Sequence, residues 1–238
     1  MTIPVVFRGS SGINVAMSNE ADVLPASPTG EVTDYADTGN VIRVFEGSNE
    51  LAYTKPTTAI VKGATVDISA KNVQNLVVNG DFRNGLSEWI GAENTPLNLR
   101  TEGNTIVYDS RPSGWNAVYN GSLNINSNDK TYIKTSLLST VGGSFRVGCS
   151  STGFSVTGTV PANVLTNISG VITHTSAGQY KTLLRTSITN ATIKWGKTIH
   201  INLTATFGAG NEPTKEECDK IFGGYFEGTA PLSDVALS

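Results

Sequence analysis

Two aromatic and two hydrogen-bonding side chains lie close together in the segment RPSGWNAVY, residues 111–119. The Pro-Ser-Gly run predicts a loop that enters a strand. An exposed ring stacks on the apolar face of a pyranose while polar neighbours hydrogen-bond its hydroxyls. We therefore predict a carbohydrate-binding site at Trp115, Asn116, Tyr119 and Arg111. The alternative is that Trp115 packs in the core, as we expect for Trp89 and Trp195.

Residue types that support catalysis are scattered. His174 and His200 are the only histidines, and they lie on separate predicted strands without a third ligand for zinc. A glycosidase needs two positioned carboxylates. The available ones have the spacing of ordinary turns and strand edges, and they are Asp81, Glu88, Glu93, Glu102, Asp109 and Asp129. We expect no enzyme activity.

The charge of the chain argues against a nucleic-acid partner but not against an acidic ligand. The chain has 17 basic and 20 acidic residues, a net charge of −3, which does not give the basic footprint that nucleic-acid binding requires. Residues 130–211, however, carry seven basic side chains and no Asp or Glu. This stretch predicts either a basic face that attracts an acidic ligand or lysines that solvate the outside of a sheet.

Two cysteines, Cys149 and Cys218, do not make a disulfide framework, and we expect both to be inert thiols. The first residues lack the cationic region and apolar stretch of a secretory signal. No run approaches the roughly 20 apolar residues of a membrane span. We expect no membrane insertion.

The composition is typical of an all-β protein, because charged residues make up only 16% and Gly, Ser, Thr and Asn are abundant. In residues 1–72, the polar stretch 18–39 connects a strand at 13–17 to a hairpin formed by 41–46 and 51–54, and strands at 59–61 and 65–68 follow. This pattern predicts a small immunoglobulin-like sandwich.

A second series of strands begins near residue 73 and predicts a jelly-roll β-sandwich over residues 73–228. In the strand at 199–205, Ile199 and Ile201 alternate with His200, so we expect one buried and one polar face. The predicted strands are 76–78, 98–100, 105–108, 117–119, 132–135, 145–149, 154–156, 167–171, 182–185, 191–195 and 199–205.

The C-terminal part contains one predicted helix, residues 214–222. Thr214 and Glu217 form a capping box at its start, and the Gly-Gly pair at 223–224 ends it. Residues 229–238 are small and polar, which predicts an arm or linker.

Residues 75–89, NLVVNGDFRNGLSEW, resemble the opening strand of jelly-roll carbohydrate-binding modules, whose pattern is N-L-x-x-N-G-D-F-x-x-G-x-x-x-W. Leu76, Val78 and Phe82 would anchor this strand, and Trp89 would pack back on the sandwich. The resemblance implies a carbohydrate-binding fold with a structural calcium near this strand, for which Asp81 is the candidate ligand.

Residues 201–214, INLTATFGAGNEPT, with the acidic helix after them, resemble a cassette of tailed-bacteriophage virion proteins, where it closes a jelly-roll module. Residues 41–47 and 51–53 resemble the immunoglobulin-like repeats of phage tail proteins. These resemblances imply a non-enzymatic virion protein, a tail or fibre appendage that takes part in recognising host-surface glycans.

The resemblance also implies the domain roles, the partners and the location. Residues 1–72 would dock to the particle or act as a spacer, and residues 73–228 would be the carbohydrate-binding-module-like jelly roll. We expect other virion proteins, a host glycan and further copies of the same chain as partners, and assembly into the virion in the host cytoplasm. The alternative is a purely structural head-decoration, head-fibre or tail-assembly protein.

Overall fold

The computed structural model describes the backbone of four strands within residues 5–51 and, with side chains, residues 56–92, 96–150 and 155–236. The chain forms two compact units, Met1–Thr54 and Lys55–Ser238. The structure therefore divides the chain earlier than residue 72, where the sequence predicts the boundary.

The first unit contains one described antiparallel sheet, with its strands in chain order. A hairpin is present where the sequence predicts one, but its turn is shorter, since Phe45 pairs with Glu50 and the second strand begins at Asn49. Residues 52–54 lie outside the described residues. The connecting stretch 18–39 lies outside the described residues, and the immunoglobulin-like sandwich stays a prediction. The strands are β1 (Val5–Val6), β2 (Ile13–Met17), β3 (Ile42–Glu46) and β4 (Asn49–Leu51).

The second unit is described from residue 56 onward and consists mainly of short strands. Its elements are β5 (Thr58–Val61), β6 (Ala64–Asp67), β7 (Asn72–Gln74), β8 (Trp89–Ala92), β9 (Leu97–Glu102), β10 (Thr105–Asp109), β11 (Asn116–Ile125), β12 (Lys130–Ser139), β13 (Gly143–Cys149), β14 (Ser155–Val160), β15 (Thr166–Thr173), β16 (Gly178–Thr186), β17 (Thr192–Trp195), β18 (Ile199–Asn202), α1 (Leu203–Phe207), α2 (Lys215–Ile221), β19 (Thr229–Pro231) and α3 (Leu232–Val235).

Two antiparallel sheets form a sandwich. The six-stranded sheet has the order β15-β12-β17-β10-β9, with β18 also paired to β12, and the five-stranded sheet has the order β14-β13-β16-β11-β8. The chain passes repeatedly from one sheet to the other, so sequential strands often lie in opposite sheets, which is the connectivity of a jelly roll. The all-β fold and the jelly-roll sandwich predicted from the sequence are confirmed.

The main core lies between the two sheets. Ile133, Leu137 and Trp195 of the six-stranded sheet pack in one cluster with Val118 and Leu184 of the five-stranded sheet. This packing follows from the alternation of side chains along each strand. Trp89 and Trp195 are 3% and 0% exposed, as the sequence predicts for core residues. Cys149 and Cys218 are both buried and free thiols.

A second apolar cluster covers the other face of the six-stranded sheet. Tyr132, Ile199 and Ile201 contribute from the sheet, and the cover comes from the β5–β6 hairpin and from the three short helices. The six-stranded sheet is therefore buried on both faces. No helix in the described part of the chain is long and apolar enough to cross a membrane.

Two predictions about the chain ends of this unit are corrected by the second cluster. The strands predicted at 59–61 and 65–68 exist as β5 and β6, but Val61 and Ile68 pack into the second unit. Residues 229–236 of the predicted tail are not a free arm, because β19 pairs with β7 and Leu232 is fully buried. Apolar residues spaced among small polar ones are enough to anchor both segments.

The predicted helix is confirmed as α2. The Thr214 side chain accepts from the Glu217 backbone and the Glu217 side chain accepts from the Thr214 backbone. The predicted strand 199–205 ends earlier, at Asn202, because the Asn202 side chain accepts from the N–H of Ala205 and caps α1. His200, expected on a polar face, is 0% exposed because that face lies between the sheets.

Asn79 organises the loop that leads into β8. Its backbone has a left-handed φ of 53°. Its side chain donates to the carbonyls of Gly85 and Ser87, each at 3.0 Å, and accepts from the N–H of Asn84 at 3.0 Å. The segment 76–78 predicted as a strand is irregular instead, with Val77 buried and Val78 50% exposed.

We expect Asn79→Ala to lower the free energy of unfolding by about 2 to 4 kcal/mol, because it removes three hydrogen bonds and leaves a left-handed backbone without its favoured residue. Denaturant unfolding of the full chain measures this. Asn84→Ala is the matched control, since its exposed side chain is lost while its backbone N–H remains, and we expect a change within about 0.5 kcal/mol. Equal changes in the two variants would contradict this account of the loop.

Both histidines belong to a buried chain of hydrogen bonds between the sheets. His174 Nε2 lies 3.0 Å from Thr131 Oγ1, and His200 Nε2 lies 3.1 Å from the same oxygen. His200 Nδ1 lies 3.0 Å from Thr182 Oγ1 of the opposite sheet. Burial and the neighbouring His174 lower the pKa of His200 from its ordinary 6.5 to about 3. Burial lowers the pKa of His174, against the nearby Asp129 carboxylate.

These lowered pKa values predict that acid destabilises the fold. The unfolded chain takes up a proton on His200 below pH 6.5, whereas the folded chain does so only near pH 3. Stability is therefore retained above pH 6.5 and is lost as the pH falls toward 3, by up to about 1.4 kcal/mol per pH unit from this residue. Thermal unfolding at pH 7, 5.5 and 4.5 should show a shallower loss for His200→Gln than for the natural chain. Parallel curves would contradict the prediction.

Candidate functional site

The five-stranded sheet has one face that points away from the core, here called the outer face. Its residues alternate with the core residues Val118, Val147 and Leu184. Cross-strand pairing arranges it in two neighbouring rows that run across all five strands. The first row is Ala92, Ala117, Arg185, Arg146 and Thr157, and the second is Ile90, Tyr119, Leu183, Gly148 and Ser155.

The outer face carries both small and long residues. Ala117 and Gly148 are buried, and the longer side chains of Tyr119, Arg146 and Arg185 on the same face are half-buried. Ile90, at the edge, is 51% exposed. Together these residues give the face both apolar surface and hydrogen-bond donors.

A cleft of about 320 Å³ lies at one side of this face, with Ile90, Tyr119 and Lys181 among its lining residues. The Lys181 ammonium is 5.9 Å from the centre of the Tyr119 ring, within the range of a cation–π contact. The half-buried Tyr119 ring is the aromatic surface of the cleft. A saccharide in the cleft would meet an aromatic ring and a cationic donor side by side.

A bulge in β11 shapes the cleft. The register with β16 shifts between Asn120 and Leu123, and Gly121 there has a φ of 57°. The buried Asn120 side chain donates to the carbonyls of Val78 and Glu88 at 2.8 and 3.2 Å. The loop before β8 is thereby fixed against β11, which holds the rim of the cleft.

Trp115 contacts an arginine of a neighbouring strand. The Arg185 guanidinium lies over its ring, 4.3 Å from the centroid, and the indole is half-buried. One face of the ring is therefore covered by the guanidinium and does not stack on a sugar. The sequence analysis did not identify Arg185, and sugar binding by Trp115 stays a prediction.

Asn116 and Arg111 close the loop before β11. Asn116 is 0% exposed, and its side-chain oxygen accepts from the Arg111 N–H at 3.0 Å. This buried oxygen holds the loop and is out of reach of a ligand on the surface.

Of the four predicted sugar-binding residues, Tyr119 lies on the outer face, Trp115 adjoins it, and Asn116 is structural. Arg111 is half-buried at the loop.

Asp81, the predicted calcium ligand, pairs with Arg83, whose Nε donates to its carboxylate at 2.6 Å. Burial raises the pKa of Asp81, but the hydrogen bonds and charge of Arg83 outweigh burial and lower it. No group of three or more His, Cys, Asp or Glu residues suited to a metal occurs in the part of the chain that the structure describes. A carboxylate already neutralised by a guanidinium does not fit a calcium site.

Two of the acidic residues considered for glycoside hydrolysis, Glu102 and Asp109, have lowered pKa values. Hydrogen bonds from Lys194 and Arg100 lower the pKa of Glu102, and hydrogen bonds from Asn98 and Thr192 lower that of Asp109. A general acid needs a raised pKa. Glu93 lies outside the described residues.

A second cleft, of about 400 Å³, lies on the side of the six-stranded sheet. Lys134 and Lys197 are among its lining residues. Lys134 donates to the carbonyl of Phe222 at 2.8 Å, which satisfies the C-terminal end of α2. This lysine therefore has a structural role at the end of the helix.

Comparison with known proteins finds similar structures but no matching family or curated protein. No protein-family model and no curated protein matches the chain. A CBM4 module aligns with a TM-score of 0.43 and 8% identity, over 53% of this chain and 99% of the module. TmCBM61 in complex with β-1,4-galactotriose aligns with a TM-score of 0.40 and 10% identity, over 54% of this chain and 99% of that one.

One similar structure comes from a phage. The enzymatically active domain of bacteriophage CBA120 tailspike protein 4 aligns with a TM-score of 0.38 and 15% identity, over 53% of this chain and 21% of that one. The chain thus spans about a fifth of that tailspike structure. With TM-scores below 0.5, the jelly-roll assignment depends on the strand order described above, and the candidate site depends on its own geometry.

Proposed function

We propose that this chain is a non-enzymatic glycan-binding protein and that the outer face of the five-stranded sheet is its binding surface. The observation that carries the proposal is the cleft on this face, with Ile90, Tyr119 and Lys181 among its lining residues. The Tyr119 ring would stack on the apolar face of a pyranose, and Lys181 would donate to its hydroxyls.

We further propose that the chain belongs to a tailed-phage virion, as a tail or fibre appendage that contacts the host surface. The resemblance of residues 201–214 to the phage cassette supports this. An open, shallow cleft favours weak binding by each copy. Many copies on one particle would then bind through effective concentration, and such avidity does not need a deep pocket.

A purely structural virion role is the second candidate, and exposed apolar loops favour it. Val141, Val164 and Leu165 are 43%, 49% and 63% exposed. They belong to two neighbouring loops, since the N–H of Asn163 donates to the carbonyl of Ser139 at 2.7 Å. Such a patch is typical of a surface that contacts another protein. In this role the chain would bind capsid or tail subunits and ignore host cells.

Binding of fluorescent protein, free and displayed on beads, to bacterial host cells tests the proposal, with purified host surface polysaccharide as competitor. We expect saturable binding that the polysaccharide abolishes. Tyr119→Ala should weaken it about fivefold to tenfold, because the stacking surface is lost. Leu165→Ala, an exposed apolar change in a loop away from the outer face, is the control and should leave binding unchanged.

The outcomes separate the two candidates. No binding even on beads, together with tight binding to capsid or tail subunits, would favour the structural role. Binding that Tyr119→Ala does not alter would contradict the assignment of the outer face while leaving glycan binding intact.

A further inference from the structure

We propose that the cleft on the outer face binds a neutral sugar through two adjacent hydroxyl groups and that Glu88 is the residue that selects them. This inference rests on the proposed function, because it names the class of sugar for the same cleft. Glu88 lines the cleft together with Tyr119 and Lys181.

Two residues of opposite charge flank β11 at one end of the cleft. Trp89 of β8 and Thr182 of β16 both pair with Asn120 of β11. The residues before them, Glu88 and Lys181, therefore lie on either side of the residue after Asn120, a glycine at the β11 bulge. Because β8 and β16 are the two neighbours of β11, the backbones of these charged residues are about 10 Å apart.

Both charged side chains are open to solvent. Glu88 and Lys181 are exposed, unlike the buried positions nearer the middle of the outer face. Within the part of the chain that the structure describes, the Glu88 carboxylate and the Lys181 ammonium form no hydrogen bond or ion pair, and the ammonium adjoins the Tyr119 ring. The two charges are therefore available to a ligand and are not bound to each other.

The chemistry of the Glu88 carboxylate determines which ligand groups it binds. An ionised carboxylate only accepts hydrogen bonds, and its two oxygens can accept from a pair of neighbouring donors. Adjacent hydroxyls of a sugar supply such a pair, and hydrogen bonds to an ionised group are about twice as strong as those between neutral groups. Lys181 only donates, so it would bind a ring or hydroxyl oxygen on the other side. Glu88 would repel a sugar carboxylate, so the cleft favours neutral sugars.

The dimensions of the cleft fit one pyranose ring. Its volume of about 320 Å³ lies at the lower end of ligand clefts, which occupy roughly 300 to 1,000 Å³. Hydroxyl oxygens on opposite sides of a pyranose are about 5 Å apart, and a hydrogen bond of about 2.8 Å at each end covers the remaining distance between the two charges. The exposed charged side chains become ordered on binding, which costs entropy and keeps the affinity of each copy low.

Retention of the full chain, displayed on beads, on a panel of polysaccharides tests the class of sugar. The panel contains neutral polymers of glucose, galactose and mannose beside acidic polymers of uronic acids. We expect retention on at least one neutral polymer. Retention on acidic polymers or binding to host cells, without retention on any neutral polymer, would overturn the inference and leave glycan binding supported. No retention on any polymer together with no binding to host cells would overturn both.

Substitution of Glu88 tests the residue on the neutral polymer that retains the chain. Glu88→Ala should weaken binding about fivefold to twentyfold, and Glu88→Gln, which keeps an acceptor oxygen but not the charge, should give a smaller loss. Glu216→Gln is the matched control, because it removes the same charge from an exposed position on α2 and should leave binding unchanged. Denaturant midpoints show that all variants fold. Equal losses in Glu88→Gln and Glu216→Gln, or unchanged binding by Glu88→Ala, would overturn the inference.

Monodeoxy methyl glycosides of the retained sugar test the contact itself. Each lacks one hydroxyl and competes with the polymer for the cleft. With the natural chain, we expect removal of either of two adjacent hydroxyls to weaken competition about fivefold. With Glu88→Ala the same removal should have little effect, because the partner is already absent. Equal effects in the two proteins would indicate a structural role for Glu88 and would overturn the inference, while weaker binding by Tyr119→Ala would still support the proposed function.

Discussion

Burial of the six-stranded sheet on both faces is the constraint on which the rest of the second unit depends. One face forms the main core with the five-stranded sheet, and the other packs against the hairpin, the short helices and the C-terminal segment. The outer face of the five-stranded sheet is consequently the sheet surface of this sandwich that belongs to neither apolar cluster. The same constraint explains why β12 alternates between two different apolar clusters, with Ile133 in one and Tyr132 in the other.

Polar groups inside this sandwich need partners, and the structure provides them in connected sets. His200 links the sheets through Thr131 and Thr182, and Asn120 fixes the loop before β8 to β11. These interactions hold the strands that carry Tyr119 and Arg185. The proposed binding surface is therefore carried by strands, which suits recognition of an extended saccharide.

The sequence predicted those features of the fold that a few neighbouring residues determine. The capping box of Thr214 and Glu217, the hairpin at residues 42–51 and most strands of the sandwich were found because their chemistry is contained in a few neighbouring residues. The strand signal after Asn202 was misleading, because one side-chain cap ends the strand and starts α1. The burial of His200 was missed, since alternation alone does not show that both faces of a strand are covered.

The candidate site was only partly predictable for the same reason. Tyr119 was predicted from its aromatic character, whereas its place beside Ile90 depends on strand pairing between residues far apart in the chain. Trp115 was predicted too, but its contact with Arg185 was not, since Arg185 comes from another strand. The absence of acidic residues over 130–211 was the one sequence signal that pointed to a basic face.

The most direct test of the central claim is an NMR titration of the isotopically labelled full chain with short oligosaccharides from a polysaccharide that it retains. Chemical-shift changes show where the sugar binds. Our account predicts changes concentrated in β8, β11 and β16, around Tyr119 and Lys181. Changes centred instead on the cleft of Lys134 and Lys197, or on the apolar loops near Leu165, would contradict it.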